Sequence, residues 1–206
     1  MPRANPWTLV PAAEYERHMG PEGADQLRPL AAVLGRACAD LRPRRLLVLG
    51  VATGNGLEHV DPKVTERVVG VDVNIQYVAV ARQRFARLGP TLELYCVDLE
   101  KVDLPPASFD LVWAGLVLEY VDLAAAASRI AGWLAPGGSL LVALQHPPAA
   151  EAAGERLRAV GEAMRLVSPE ELAGHLAAAG LEPRQAYWVE AARGRLLHVA
   201  RWRRPK

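Results

Sequence analysis

The chain has 206 residues, 51% of them hydrophobic, and a formal net charge of +1. That length gives one domain with a core large enough to be stable alone. The balanced charge argues against nucleic acid as a partner, and no uninterrupted apolar run of about 18 residues is present to cross a membrane.

The opening residues Met1-Pro2-Arg3-Ala4-Asn5-Pro6-Trp7 lack the apolar centre of a signal peptide, so a cytoplasmic location is expected. Basic residues are almost all Arg, with Lys63, Lys101 and Lys206 the exceptions; with abundant Ala, Leu and Pro this suggests a GC-rich bacterial genome. Cys38 and Cys96 are far apart and form no metal-type cluster, so both are expected to be reduced, buried thiols. Tyr15 and His18 are three residues apart and share one helix face. A second helix is expected over Gly23 to Ala39.

Arg45 to Gly50 reads as a buried parallel strand. It runs into the turn Val51-Ala52-Thr53-Gly54-Asn55-Gly56 and a short helical segment, Leu57 to Val60. A second strand, Arg67 to Asp72, ends in an acid. Strand, Gly-rich turn, helix and acid-tipped strand make half of a nucleoside-binding α/β unit. Glycine in the turn lets a ligand approach the backbone, and the Asp72 carboxylate can accept hydrogen bonds from both ribose hydroxyls. A dinucleotide site would need Gly-x-Gly-x-x-Gly, and counting from Gly54 the third glycine falls on His59, which argues against a nicotinamide cofactor.

Alternation continues to the end of the chain. A helix over Gln76 to Leu88 puts Val78, Ala81, Phe85 and Leu88 on one face, and Gly89-Pro90 stops it. A third strand, Leu92 to Val97, carries Asp98 at its tip. After the Pro105-Pro106 turn, Phe109 to Ala114 is the fourth strand. A helix over Leu123 to Leu134 leads through Pro136-Gly137-Gly138 to the fifth, Ser139 to Leu144. Residues 146–167 read as an inserted helix. Ser168-Pro169-Glu170-Glu171 is a capping box opening a helix to Ala179. Gln185 to Glu190 and Leu196 to Trp202 then read as an antiparallel pair closing the sheet.

This order resembles the class I S-adenosylmethionine-dependent methyltransferases over residues 45–203. Val48 to Gly56 looks like their first motif, Val71-Asp72 like the ribose-binding acid, and Cys96-Val97-Asp98-Leu99 like the adenine-binding segment. Phe109-Asp110-Leu111-Val112 and Leu134-Ala135-Pro136-Gly137-Gly138-Ser139-Leu140 look like the fourth strand and the turn before the fifth. The resemblance implies a single α/β domain with a Rossmann-like, seven-stranded, mostly parallel sheet, an antiparallel terminal strand and helices on both faces. Within it, residues 1–40 would be an N-terminal lid, 45–145 the cofactor half and 168–206 the substrate side.

The resemblance also implies S-adenosyl-L-methionine as cofactor, contacted by Gly50, Ala52, Gly54, Gly56, Asp72 and Val73, with Ile75 beside Val73 on the adenine face. Asp98 would meet the adenine amine and the Leu99 amide a ring nitrogen. The first motif departs twice: Gly50 stands where the family has an acid, and Ala52 where it has a glycine, which a negative φ would tolerate. Glu119 and Tyr120 follow the fourth strand, where the crevice opens; Tyr15 would line the lid. His146 past the fifth strand and His18 are the candidate bases. The acceptor would be a small molecule, since the fourth strand continues Val112-Trp113-Ala114-Gly115-Leu116 without the Asn/Asp-Pro-Pro-aromatic motif used on bases. The alternative is a sensor or partner subunit that binds the cofactor without turnover. A monomer or homodimer is expected, and the tail Arg201 to Lys206 reads as solvated.

Overall fold

The computed structural model describes residues 5–146 and 155–206. Its sheet follows from alternating burial. In β1 (Arg45–Leu49), Leu46 and Val48 enter one core layer while Leu47 and Leu49 enter the other, because successive strand side chains face opposite sides. β2 (Arg67–Asp72) and β3 (Leu92–Cys96) lie to one side of it. β4 (Phe109–Gly115) repeats the alternation, with Leu111 and Trp113 opposite Val112 and Ala114. Strands covered on both faces read as unbroken apolar runs, and these do.

β5 (Leu134–His146), β6 (Glu182–Glu190) and β7 (Leu196–Arg203) complete a seven-stranded sheet, ordered β3-β2-β1-β4-β5-β7-β6. The first five strands pair in parallel, and β7 is antiparallel to both β5 and β6. From β1 the chain steps outward through β2 and β3, then returns to β4 and β5 on the other side. The tips of β1 and β4 therefore flank the point where the strand order reverses, and a crevice opens there.

Among the described residues, six α-helices cover the two faces. α1 (Ala12–Met19), α2 (Leu27–Leu41), α3 (Ile75–Arg84) and α5 (Glu155–Ala163) feed one layer through Tyr15, Met19, Leu34, Tyr77, Leu157 and Val160. α4 (Leu123–Trp133) and α6 (Pro169–Ala178) feed the other through Ile130, Trp133, Leu172 and Leu176. The expected cap on α6 is present: Ser168 Oγ accepts from the Glu171 amide at 3.1 Å. Among the described residues no helix is long and apolar enough to cross a membrane.

Several boundaries differ from expectation for local reasons. α2 starts at Leu27 rather than Gly23, because residues 20–26 fold back on α1. The Ala24 and Gln26 amides donate to the His18 and Met19 carbonyls, and Asp25 adopts φ +46°. α3 stops at Arg84, and Ala86–Thr91 tightens into 3-10 turns around Gly89 at φ +52°. The expected inserted helix is present as α5, and residues 147–154 of that expectation lie outside the described residues. Cys38 is buried, and burial pushes its thiol up to about 11. Cys96 is exposed, contrary to expectation; it ends β3, the strand at the edge of the sheet, where one flank has no neighbour.

Candidate functional site

After Leu49 the chain turns through four left-handed positions: Gly50 (φ +64°), Ala52 (+46°), Gly54 (+93°) and Gly56 (+92°). A Cβ on Gly54 would collide with the Phe85 ring, and one on Gly56 would press into Leu34. These two glycines let the turn pack against α2 and the end of α3, and neither lines the cavity described below. Gly50 does line it. A Cβ there would lie 3.0 Å from Val117 Cγ2, so Val117 occupies the space an acid at this position would need.

Ala52 lies at positive φ, not at the negative value expected. Its amide donates to Asp72 Oδ2 at 2.8 Å, and that bond holds the left-handed turn. A Cβ in this region costs about 1 kcal/mol. Ala52→Gly is therefore expected to stabilise the fold by about 0.5 kcal/mol, after the extra chain entropy of glycine is subtracted. Chemical denaturation measures this, and a loss of stability would show that the methyl group contributes packing that outweighs the strain.

Asp72 ends β2 and is 7% exposed. Its Oδ1 accepts from the Asn74 amide at 2.9 Å, as its Oδ2 does from Ala52. Burial outweighs these amides and pushes its pKa up to about 6. Asn74 is 2% exposed and joins three segments. Its Oδ1 accepts from the Gln76 amide at 2.9 Å and caps α3. Its Nδ2 donates to the Trp7 and Val10 carbonyls at 2.8 and 2.9 Å. The N-terminal segment is thereby strapped to the tip of β2. A second tie runs from Glu16 on α1 to Arg84 on α3, at 2.7 Å. A third, Glu14 to Arg156 at 3.4 Å, joins α1 to α5.

Aromatic rings fill the space under these ties. Tyr15 lies over Tyr77 with ring centres 4.9 Å apart, and Trp7 meets Tyr15 and Tyr120 edge-on at 6.0 and 5.5 Å. Burial pushes the hydroxyls of Tyr15, Tyr77 and Tyr120 well above the usual phenol range. The Tyr77 hydroxyl is buried without a hydrogen-bond partner among the described residues.

One cavity joins these parts. Its strand-tip wall is built from Gly50, Ala52, Asp72, Val73, Asp98 and Leu99, with Gly115 to Val117, Tyr120 and Val121 after β4. Its opposite wall comes from Asn5, Trp7, Tyr15, Tyr77, His18 and Met19, and from Gln26 and Leu30. Gln145 at the end of β5 and the α5 residues Leu157, Val160 and Gly161, with Met164 beyond them, close it. Glu119 is off the wall and 2% exposed; its Oε1 accepts from the Gln145 amide at 3.2 Å, and burial pushes it up to about 7. Burial lowers the pKa of His18, Arg195 adding to the effect and Glu14 opposing it, so His18 is neutral at neutral pH.

The cavity thus brings together Tyr15, His18, Gly50, Ala52, Asp72, Val73, Asp98, Leu99 and Tyr120. Ile75, expected beside Val73, is 63% exposed and off the wall, because it starts α3 facing outward. His146 ends β5, paired with Leu196, and its side chain lies outside the described residues. Sequence reasoning missed Trp7, Gln26, Asn74, Tyr77 and Gln145. Asn74 alone carried a signal, since Asn just before a helix is a good cap.

Residues 47–142 match the family described as a methyltransferase domain. The chain is 33% identical over 152 residues to 27-O-demethylrifamycin SV methyltransferase of Amycolatopsis mediterranei (strain S699), a match covering 69% of this chain and 55% of that protein. The chain spans about half the length of that relative and less of the next two. Among solved structures, the N-methyltransferase NodS of Bradyrhizobium japonicum in complex with S-adenosyl-L-homocysteine is similar. Its TM-score is 0.64 at 24% identity, over 100% of this chain and 94% of that one. The [4+2]-cyclase SpnF is similar at a TM-score of 0.69 and 21% identity, over 86% of this chain and 80% of that one.

Proposed function

We propose that this chain, whose residues 47–142 match a methyltransferase-domain family, transfers a methyl group from S-adenosylmethionine to a small-molecule acceptor held under its N-terminal segment. The observation that carries the reading is Asp72: a buried carboxylate at a strand tip, fixed by two backbone amides, in the same cavity wall as Asp98 and the turn after β1.

The residues present fit the cofactor. The Ala52 and Asn74 amides take one lone pair on each Asp72 oxygen and the Val73 amide adds to them, leaving capacity for a ribose hydroxyl. Asp98 and the Leu99 amide would meet the adenine, and Tyr77 is one more polar residue on the wall. The cofactor brings a methyl group already activated by its sulfonium. The chain's own task is then to align the acceptor and keep water out. Trp7, Tyr15 and Tyr120 exclude water as a lid, held by the Asn74 strap and the Glu16–Arg84 pair. His18, kept neutral by burial, accepts the acceptor's proton where that acceptor arrives protonated. His146, whose side chain lies outside the described residues, is the second candidate base.

The pKa of Asp72 gives this reading a pH signature. Ribose hydroxyls donate to the carboxylate and not to the acid, so S-adenosylmethionine affinity is expected to be level above about pH 7 and to fall as pH drops through about 6. Fold stability moves the other way. The native state holds the Asp72 proton more tightly than the unfolded chain, so this group's contribution is greatest below about pH 4 and is lost as pH rises through about 6. Calorimetric titrations between pH 5 and 8 on this scale check the binding limb, and a flat profile contradicts it.

A second reading is a cofactor-binding sensor without turnover. Val117 in the place of the family acid and the strained Ala52 favour it. Release of S-adenosylhomocysteine from S-adenosylmethionine in the presence of a pool of small nucleophiles supports the enzyme; tight binding with no release from any pool supports the sensor.

A further inference from the structure

The two ends of the cavity differ in chemistry. The strand-tip end carries the carboxylates Asp72 and Asp98. The far end, under α1 and α5, is walled by Met19, Leu30, Leu157, Val160 and Met164. Its polar groups are His18 and the side-chain amides of Gln26 and Gln145. Among the described residues no Lys or Arg lines either end; outside them, residues 147–154 contain neither type, while Arg3 and the Arg193 side chain are not described. Arg195 acts on His18 through space and is not on the wall.

The two amides form one station. Gln26 Nε2 lies 3.5 Å from Gln145 Oε1, and Gln145 Nε2 lies 2.6 Å from Met164 Sδ. The Gln145 backbone amide donates to the buried Glu119 carboxylate, and the Arg165 amide donates to the Glu119 carbonyl, so Glu119 positions both sides of this corner. An amide pair offers donors and acceptors without charge.

We infer that the acceptor is an uncharged, predominantly apolar molecule that presents a hydroxyl or amide to the Gln26–Gln145 pair. The inference rests on the methyl-transfer reading above. A phosphate or carboxylate placed here would be stripped of water with no cation among the described wall residues to meet it. An ammonium group would meet neutral His18 and aliphatic walls. An apolar body gains from burial, and a single hydroxyl satisfies the station.

The test uses the protein saturated with S-adenosylhomocysteine, with 2-naphthol, 2-naphthyl phosphate, protonated 2-(aminomethyl)naphthalene and naphthalene as probes. Calorimetry is expected to show 2-naphthol binding at least about tenfold tighter than each of the other three. In Gln145→Leu, its advantage over naphthalene is expected to vanish while S-adenosylhomocysteine still binds. Equal or tighter binding of the phosphate or the ammonium probe overturns the inference and leaves the methyl-transfer reading standing, as does failure of all four to bind. Failure of S-adenosylhomocysteine itself to bind removes that reading and this one together.

Discussion

Asp72→Ala is expected to weaken S-adenosylmethionine binding about a hundredfold, roughly 2.7 kcal/mol, because hydrogen bonds to a charged acceptor are the strong ones. The loss has two parts. Two ribose contacts disappear, and the amides of Ala52 and Asn74 lose their acceptors, which loosens the turn beneath the cofactor. Asp72→Asn is not a mild substitute. Each Asp72 oxygen already faces a backbone N–H, so either orientation of the Asn amide points its NH2 group at a donor. Both variants are expected to fold with reduced stability, because removing an unfavourably buried carboxylate offsets only part of the cost of the two amides left without an acceptor. Calorimetry paired with thermal unfolding separates binding from stability. An Asp72→Ala protein that binds the cofactor within about threefold of the parent, under 1 kcal/mol, would contradict the assignment.

Asn74→Ala is expected to destabilise the fold by about 2 kcal/mol, the sum of a lost helix cap and a buried Val10 carbonyl left without its donor, while the Trp7 carbonyl keeps the Val10 amide. Its more specific effect is on the N-terminal segment. With the strap to Trp7 and Val10 gone, hydrogen exchange in residues 7–19 accelerates. Cofactor affinity falls with it, because Trp7 and Tyr15 leave the cavity wall. Asn74→Asp separates the roles. It keeps an oxygen for the Gln76 amide, so α3 stays capped, but it has no NH2 for the two carbonyls. Faster exchange in both variants is the expected result. Unchanged exchange in Asn74→Ala would show that the Glu16–Arg84 pair and ring packing hold the segment without the strap.

The sheet and the acid-tipped strands were legible because their signals are local. Leu46 to Leu49 and Leu111 to Ala114 are buried on both faces and announce it as unbroken apolar runs. Asp72 ends such a run, whereas Asp98 follows the half-buried edge strand β3. The far wall of the cavity was not legible, because its members meet across long separations with no periodicity to mark them. Gln26 and Gln145 are 119 positions apart, and Asn74 reaches back 67 positions to Trp7. The left-handed Ala52 was misjudged because its conformation is imposed by a carboxylate twenty residues away. Gly54 and Gly56 invite a ligand-contact reading by type, yet they serve close packing on Phe85 and Leu34.

The cavity at the tips of β1, β2 and β3 is expected to be a cofactor site that remains competent despite Gly50 and Ala52. Calorimetric titration of the unaltered chain with S-adenosylmethionine and S-adenosylhomocysteine at neutral pH tests it. Saturable one-to-one binding of both, with dissociation constants near about 1–10 μM, or −7 to −8 kcal/mol, is the predicted result. No heat and no thermal stabilisation at millimolar ligand would contradict the claim, and the methyl-transfer reading would fall with it.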